Sequence, residues 1–511
     1  MKRKIIINGN NLTIEDVGLF CDSRDVRVDI APSALSAIQK TRKFIEQELD
    51  KRIIYGVNTG FGPMASHIIT PRKLIELQEN LIRSHAVGMG KPIDTMYVLA
   101  AMIVRLNTLA KGFSGVSKEL IDSLQKFNNH RVIPVIPEHG GVGASGDLVQ
   151  LAHIALALMG EGKIFYRGKL QPAKDVLRRL KLKPYKLKPK EGLSLINGTS
   201  VMTGIAALNC LYSRKLLDLA IRTAAFSLEI VHAHDDSISE KLQDVRPHRG
   251  QIAVAKKMRE ILDSSGLLKK RETSYRKLKT LSGVHKISEV VQEIYSFRCV
   301  PQILGPVYDT LENVWQDVET EINSATDNPI VDLQNKELLH GGNFHGDYIS
   351  SAMDKLKASL TRLTMLSERR INFFLNHKIN QFFPPFLNLN EPGLTLALQG
   401  LQFVATSTTA QNQTLSFPHY VHSIPTNGDN QDIVSMGTDA ALFAARVVEN
   451  AYIVLAIELV ALAQAADFLK AQNDLSDSSK KLYKKTRAIL PKITKDRVVI
   501  NELTELVKNI L

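Results

Sequence analysis

Cysteine is scarce: Cys21, Cys210 and Cys299 are the only three in 511 residues. They stand too far apart for a disulfide framework or a zinc site, and such a chain suits a reducing compartment. A signal-peptide core is not expected, because the basic start Met1-Lys2-Arg3-Lys4 is followed only by Ile5-Ile6-Ile7. No uncharged apolar run reaches the ~18 residues of a membrane span. The richest stretch, near the C-terminus, is cut by Arg446, Glu449, Glu458 and Asp467. These absences lead us to expect a cytoplasmic protein with no membrane partner.

Negative charge is in deficit. The formal net charge is +13, with local basic clusters at Lys181–Lys190, Lys269–Lys279 and Lys480–Lys485. None is interleaved with aromatics as in single-strand binders, so we read them as solvated helix faces and loops and expect no nucleic-acid partner. No internal repeat and no long low-complexity tract is present.

What the chain does have is helical spacing. With 44% hydrophobic and 23% charged residues it can build an ordinary globular core, as two or three domains or one large helical body with a smaller head. Leu74, Gln78, Leu81 and His85 fall on one face, as do Leu356, Leu360 and Leu363 within Met353–Lys378. Ala440–Leu469 is alanine-rich and apolar around much of its circumference, which predicts a long buried helix, a bundle and an oligomer. At the N-terminus, Ile5-Ile6-Ile7, Asn8-Gly9, Leu12 and Ile14 predict a short hairpin, after which strand signals nearly vanish. Glycine and proline mark loops at Gly56–Pro63, Pro134–Gly146, Pro384–Pro392 and Pro425–Asn430. Ser264–Ser288, polar and weakly periodic, reads as a mobile loop.

One loop has unusual chemistry available. Glu138-His139-Gly140-Gly141-Val142-Gly143-Ala144-Ser145-Gly146-Asp147-Leu148 runs straight into a helix whose apolar positions are Leu148, Leu151, Ala155 and Leu158. Gly-rich loops before helices often cradle phosphate, but no P-loop lysine and no dinucleotide-site acid follow here. If the Gly146 nitrogen reaches the Ala144 carbonyl carbon, a five-membered ring closes, and glycine leaves that approach unblocked. Loss of water from the ring and from Ser145 leaves an exocyclic methylene, an electrophile no ordinary side chain offers. The helix N-terminus beyond it suits developing negative charge.

This segment resembles the signature of the histidine and aromatic amino acid ammonia-lyase family. The similarity continues through Tyr55-Gly56-Val57-Asn58-Thr59-Gly60-Phe61-Gly62, Ser84-His85-Ala86-Val87-Gly88 and Ile196-Asn197-Gly198-Thr199-Ser200. It extends to Tyr295-Ser296-Phe297-Arg298, Gly342-Asn343-Phe344-His345 and Asn427-Gly428-Asp429-Asn430-Gln431-Asp432, in the family's order. The resemblance implies a mainly α, fumarase-like fold, with a globular N-terminal domain (1–200) bearing the loop and an elongated helical bundle (201–511). It implies a 4-methylideneimidazol-5-one (MIO) group made from Ala144, Ser145 and Gly146 with no external cofactor. It also implies a homotetramer whose active sites combine residues of several subunits.

The roles follow from the same resemblance. The substrate amine adds to the methylene, which makes ammonia a better leaving group. Tyr55 is the expected base; a free phenol has a pKa of about 10, so its site must favour the deprotonated form. A lid with Gly60 and Gly62 closes over it. Asn197 donates to the ring oxygen, Tyr295 assists proton transfer and Gln292 lies near the amine. Arg298 clamps the carboxylate through a fork that lysine lacks, from one helix turn beyond Tyr295. Phe344 packs near the ring, and Asn343, Asn430 and Gln431 complete the expected binding set with His85, which faces the substrate side chain.

Ser84-His85 is typical of histidine enzymes and of several tyrosine-directed lyases and aminomutases, whereas phenylalanine enzymes carry apolar residues there. Gln431 stands where histidine enzymes have a glutamate. His85 therefore disfavours phenylalanine and Gln431 disfavours histidine, which leaves L-tyrosine, with trans-4-coumarate as product. Gly140-Gly141-Val142, Asp147-Leu148-Val149-Gln150 and Gly346-Asp347-Tyr348-Ile349 also look most like bacterial tyrosine ammonia-lyases. The alternatives are histidine ammonia-lyase and tyrosine 2,3-aminomutase. A non-catalytic relative is disfavoured by the intact Tyr55, Ser145, Asn197 and Arg298.

Overall fold

The N-terminal strand Lys4–Ile7 pairs in parallel with Arg27–Ile30, and helix Ile14–Asp22 connects them. The expected hairpin is therefore not formed. Thr13 is the reason: its hydroxyl accepts from Asp16 N and caps a helix start, which draws Ile14 into a helix instead of a return strand. Asn8-Gly9 still turns the chain, and Gly9 N donates to the buried Asn107 side chain at 2.9 Å.

This computed structural model describes residues 3–271, 283–284 and 290–510. Most of the loop expected at Ser264–Ser288 lies outside the described residues. The chain divides into two compact units. The first comprises Met1–Leu211, Val314–Lys355 and Pro418–Ala445; the second comprises Tyr212–Asn313, Leu356–Phe417 and Arg446–Leu511. A single cut after residue 200 thus differs from the observed division, because the later segments around Gly346 and Gln431 hydrogen-bond back onto the Gly143–Ser145 loop of the first unit.

The first unit is built around helix Thr95–Ala110, buried continuously from Val98 to Ala110. Helices Leu74–His85, Lys118–His130 and Leu148–Leu158 bury apolar faces in the same unit. Leu74, Gln78 and Leu81 are buried as their spacing predicts. Its sheets are small: Met89–Pro92 with Pro137–His139, a three-stranded sheet of Ile133–Pro134, Lys163–Tyr166 and Lys169–Pro172, and Ile330–Asp332 with Glu337–Leu339. Strands of two to four residues are too short to print an alternating pattern on the sequence.

The second unit is helical. It holds helix Arg249–Leu262, helix Gln399–Leu415 and the portions of Ser200–Ile230, Asp347–Leu375 and Gly437–Leu469 within its ranges. Leu356, Leu360 and Leu363 are buried, and so is the Arg370–Glu458 ion pair. The mainly helical expectation holds.

Gly437–Leu469 is long and apolar enough to cross a membrane, yet 83% of its most apolar window is buried inside the chain. Its apolar girth is thus covered without a partner subunit, and the helix by itself does not call for an oligomer. Lys190 departs from the solvated reading of its cluster. It is fully buried, donating to Ser114 O at 2.7 Å and pairing with Asp327 at 3.3 Å.

Candidate active site

The loop that carries Ser145 is fixed from several sides, all within the first unit. Gly143 O accepts from Gly346 N at 3.0 Å and from the Ser435 hydroxyl at 3.1 Å, and Val142 O accepts from Met436 N at 3.0 Å. Asp147 N donates to Gly198 O at 2.8 Å, so the loop leaves into helix Leu148–Leu158 beside the Asn197-Gly198 corner.

Glycine is obligatory at position 146 for a visible reason. Its φ is +72°, and a Cβ there would lie 2.1 Å from Gly198 O and 2.3 Å from Gly198 C. Gly143, at φ +76°, would drive a Cβ to 2.0 Å from the Ser435 hydroxyl. Between Gly143 and Asp147 the loop is closely packed, and Ser145 is the half-buried residue there.

Two expected site residues meet Ser145 directly. Asn197 Nδ2 donates to Ser145 O at 3.1 Å, and Gln431 Nε2 donates to Ser145 Oγ at 2.8 Å. Asn197 is 4% exposed, and its Oδ1 has no hydrogen-bond partner among the described residues. In a ring closed between Ala144 and Gly146, Ser145 O is the ring oxygen, so the donor already stands on the atom that gains negative charge. A residue without a Cβ at position 146 and this donor set fit the MIO group.

Tyr55 sits in the next loop. Its Oη accepts from Gly62 N at 3.0 Å, which closes Tyr55–Gly62 on itself. Gly62 has φ +52°, and a Cβ there would lie 2.6 Å from Asn427 Nδ2, so this loop abuts the turn that precedes Gln431. That turn runs Asn427, Gly428 and Asp429 at positive φ, and Thr426 and Gln431 exchange backbone hydrogen bonds across it. Asn430 N donates to Asn427 O at 3.3 Å within it. The buried Gln78 ties the Tyr55 loop down, donating to Gly56 O and accepting from Leu193 N.

His85 ends helix Leu74–His85 half-buried. Its Nδ1 lies 2.9 Å from Leu81 O and 3.1 Å from the Ser84 hydroxyl. In the tautomer with its hydrogen on Nδ1, the ring donates to Leu81 O and leaves Nε2 as an acceptor. Asn343 Nδ2 donates to Ala325 O at 3.3 Å, and Phe344 is half-buried in the segment whose Gly346 holds Gly143.

Gln292, Tyr295 and Arg298 belong to the second unit. They form a set of their own: Arg298 Nη1 donates to Gln292 Oε1 at 2.7 Å, and the guanidinium stacks 4.7 Å from the Tyr295 ring centroid. The three-residue spacing does put Tyr295 and Arg298 on one face of the short helix Tyr295–Arg298. Arg298 Nε is buried and has no hydrogen-bond partner among the described residues.

Several residues near the loop were given no role of their own by the sequence. Asp147 is fully buried and accepts from Val201 N and Met202 N at 2.7 and 3.0 Å and from the Thr438 hydroxyl. Burial pushes its carboxyl up to about 6, against those hydrogen bonds and the Arg105 charge. Ser435, Thr438 and Arg105 stand in ordinary apolar or helical contexts that give no signal. No group of three or more His, Cys, Asp or Glu that could hold a metal occurs among the described residues.

A sequence profile described as aromatic amino acid lyase matches residues 12–488. The chain belongs to the aromatic amino acid lyase family. This lyase is 41% identical over 494 residues to a probable histidine ammonia-lyase of Thermoplasma volcanium, spanning 96% of this chain and 95% of that one. It is 40% identical over 496 residues to a histidine ammonia-lyase of Staphylococcus aureus, with the same coverage. Among solved structures it is similar to a tyrosine aminomutase from Streptomyces globisporus, with TM-score 0.94, 36% identity and coverage of 99% and 96%. A histidine ammonia-lyase from Trypanosoma cruzi gives TM-score 0.89 and 32% identity, covering 99% and 93%. The expected reaction class, carbon–nitrogen bond cleavage, holds for a lyase of this family.

Proposed function

We propose that this lyase is a tyrosine ammonia-lyase, acting through an electrophile cyclised from Ala144, Ser145 and Gly146. L-Tyrosine loses its amine and one β-hydrogen, and trans-4-coumarate and ammonia leave with no oxidant consumed. The cyclised tripeptide supplies the methylene that makes the amine a good leaving group. The grip of Asn197 and Gln431 on the two oxygens of Ser145 is what supports the electrophile.

The chain's own groups do the rest. Tyr55 takes the β-proton, and the Gly62 N–H aimed at its Oη offers a dipole to the oxygen that loses its own proton. Arg298, already oriented by Gln292 and Tyr295, receives the carboxylate. We assign Asn343, Phe344 and Asn430 to the substrate's surroundings by family membership, and take the homotetramer the family implies as the working assembly.

His85 carries the exclusion of phenylalanine, and Gln431 the choice of tyrosine over histidine. With Nδ1 committed to Leu81 O, Nε2 accepts from a substrate donor. A phenol hydroxyl is such a donor and a plain phenyl ring is not, so phenylalanine leaves a polar group unmet. Gln431 then presents a neutral amide near Ser145, where a histidine-directed site gains from a carboxylate.

A second reading has its own support. The 40–41% identity to histidine ammonia-lyases favours L-histidine, whose ring N–H also suits Nε2 of His85. The likeness to a tyrosine aminomutase favours re-addition of ammonia. Parallel absorbance assays with tyrosine, histidine and phenylalanine decide among them. Coumarate as the main product supports our reading. Urocanate with little coumarate overturns it, and β-tyrosine in the mixture marks an aminomutase.

A further inference from the structure

We infer that Arg105 is a positioning residue for the Ala144-Ser145-Gly146 loop, setting the Asn197-Gly198 corner against which that loop closes. This inference rests on the proposed cyclisation.

Arg105 lies within helix Thr95–Ala110 and is fully buried. Its Nη2 donates to two carbonyls, that of Ser194 and that of Asn197, the latter at 2.7 Å. These carbonyls close the short helix Glu191–Ile196, for which Asn197 is the C-cap. Carbonyls at a helix end lack intrahelical donors, and a cation there is favoured. On its other side the guanidinium presses on Gly198: a Cβ there would stand 2.4 Å from Nη1.

The corner so held is the one that touches the loop. Asn197 Nδ2 reaches Ser145 O, and Gly198 O receives Asp147 N. Gly146 and Gly198 run side by side as a parallel bridge. Moving the corner by a few tenths of an ångström therefore displaces both the wall behind Gly146 and the donor on Ser145 O.

Stability alone does not explain this residue. Burying a cation against carbonyls carries a large desolvation cost, and an apolar side chain would fill the space without it. Among the described residues, Nε and Nη1 have no hydrogen-bond partner. Burial pulls the group down to about 10, with Asp327 and Asp147 opposing, so it stays charged near neutrality. What a planar Nη2 does here and an apolar residue cannot is aim two N–H bonds at two carbonyls in a fixed direction.

Intact-protein mass tests this independently of activity, because each cyclised chain is lighter by two waters. Arg105→Lys keeps the charge but replaces the planar Nη2, with its two fixed N–H directions, by a shorter and freely rotating ammonium. We expect a majority of its chains to retain both waters, and the cyclised remainder to lose roughly tenfold in kcat, with KM changed by about twofold or less. Gly198→Ala, which pushes on Nη1, should give the same mass signature and serves if Arg105→Lys does not fold. Arg370→Lys is the control. That arginine is also fully buried, but it pairs with Glu458 in the second unit, so its loss should lower thermal stability and leave cyclisation complete. Full cyclisation with wild-type kcat in Arg105→Lys, or equal loss of cyclisation in Arg370→Lys, overturns the inference. If the wild-type chain itself retains both waters, the cyclisation reading has failed, a result distinct from either.

Discussion

Around Ser145 the neighbours are backbone groups and buried polar side chains, whereas around Arg298 they are side chains at the surface. The Ser145 loop is anchored by Gly198, Gly346, Ser435 and Met436, with no room for a Cβ at Gly143 or Gly146. Arg298 is oriented by Gln292 and by the Tyr295 ring, and Tyr295 is 67% exposed. A covalent ring closure needs atoms held within a few tenths of an ångström, and packed backbone does that. A carboxylate clamp needs a directed fork, and a stacked guanidinium supplies it with less constraint. Changes in the first region should therefore act on whether the electrophile exists, and changes in the second on how well substrate is held.

The largest expected effect is at the centre of the first region. Ser145→Ala removes the hydroxyl whose loss as water creates the methylene. We expect kcat to fall by roughly a thousandfold or more. The wild type should be lighter by two waters than its sequence mass, and the variant should not. Near-wild-type turnover by Ser145→Ala would contradict the electrophile altogether.

The second region should respond differently. Arg298→Lys keeps the positive charge and loses the fork and the stack on Tyr295. We expect KM to rise by about tenfold or more, with cyclisation complete by mass and a smaller change in kcat. If Arg298→Lys instead blocks cyclisation, the contrast between the two regions fails.

How far the sequence reached follows the same division. The Ala144-Ser145-Gly146 loop leading into a helix was legible from its glycines, whereas Asn197 and Gln431 were singled out only through the family resemblance, and Gln431 for the substrate side chain; their hydrogen bonds to Ser145 come from the structure. The long helix ending at Leu469 was legible from its apolar girth. The hairpin at Asn8-Gly9 was misread because Thr13 outbids the turn signal with a helix cap, a choice one hydrogen bond makes. Arg105, Thr438 and Ser435 were silent, since a buried arginine inside an apolar helix and hydroxyls near a helix start have no signature by type. Their meaning lies in contacts 89 to 292 residues apart in the chain. The observed units interleave three segments each, which no local pattern announces.

A smaller change sharpens selectivity. Gln431→Glu keeps the reach to Ser145 Oγ while adding a carboxylate. We expect the ratio of histidine to tyrosine kcat/KM to rise by about tenfold, about 1.4 kcal/mol in transition-state discrimination. A ratio that stays flat would remove Gln431 from the substrate argument.

The smallest expected effect is on stability, and it comes from the rigid region alone. Asp147 sits at about 6 in the folded chain, raised by burial from an ordinary 3.8. The folded state therefore binds this proton at a higher pH than the unfolded chain does, and the stability so gained is fully present below about 3.8. It is lost as pH rises through about 6. Asp147→Asn removes the titration while keeping the side chain's shape. The difference in Tm, wild type minus variant, should consequently grow by a few degrees as pH falls from 7 to 4.5. Arg298→Lys should show no such slope relative to wild type. A flat difference for Asp147→Asn would mean that the carboxylate is not held out of water as its surroundings imply, and the rigidity assigned to the Ser145 loop would lose one of its supports.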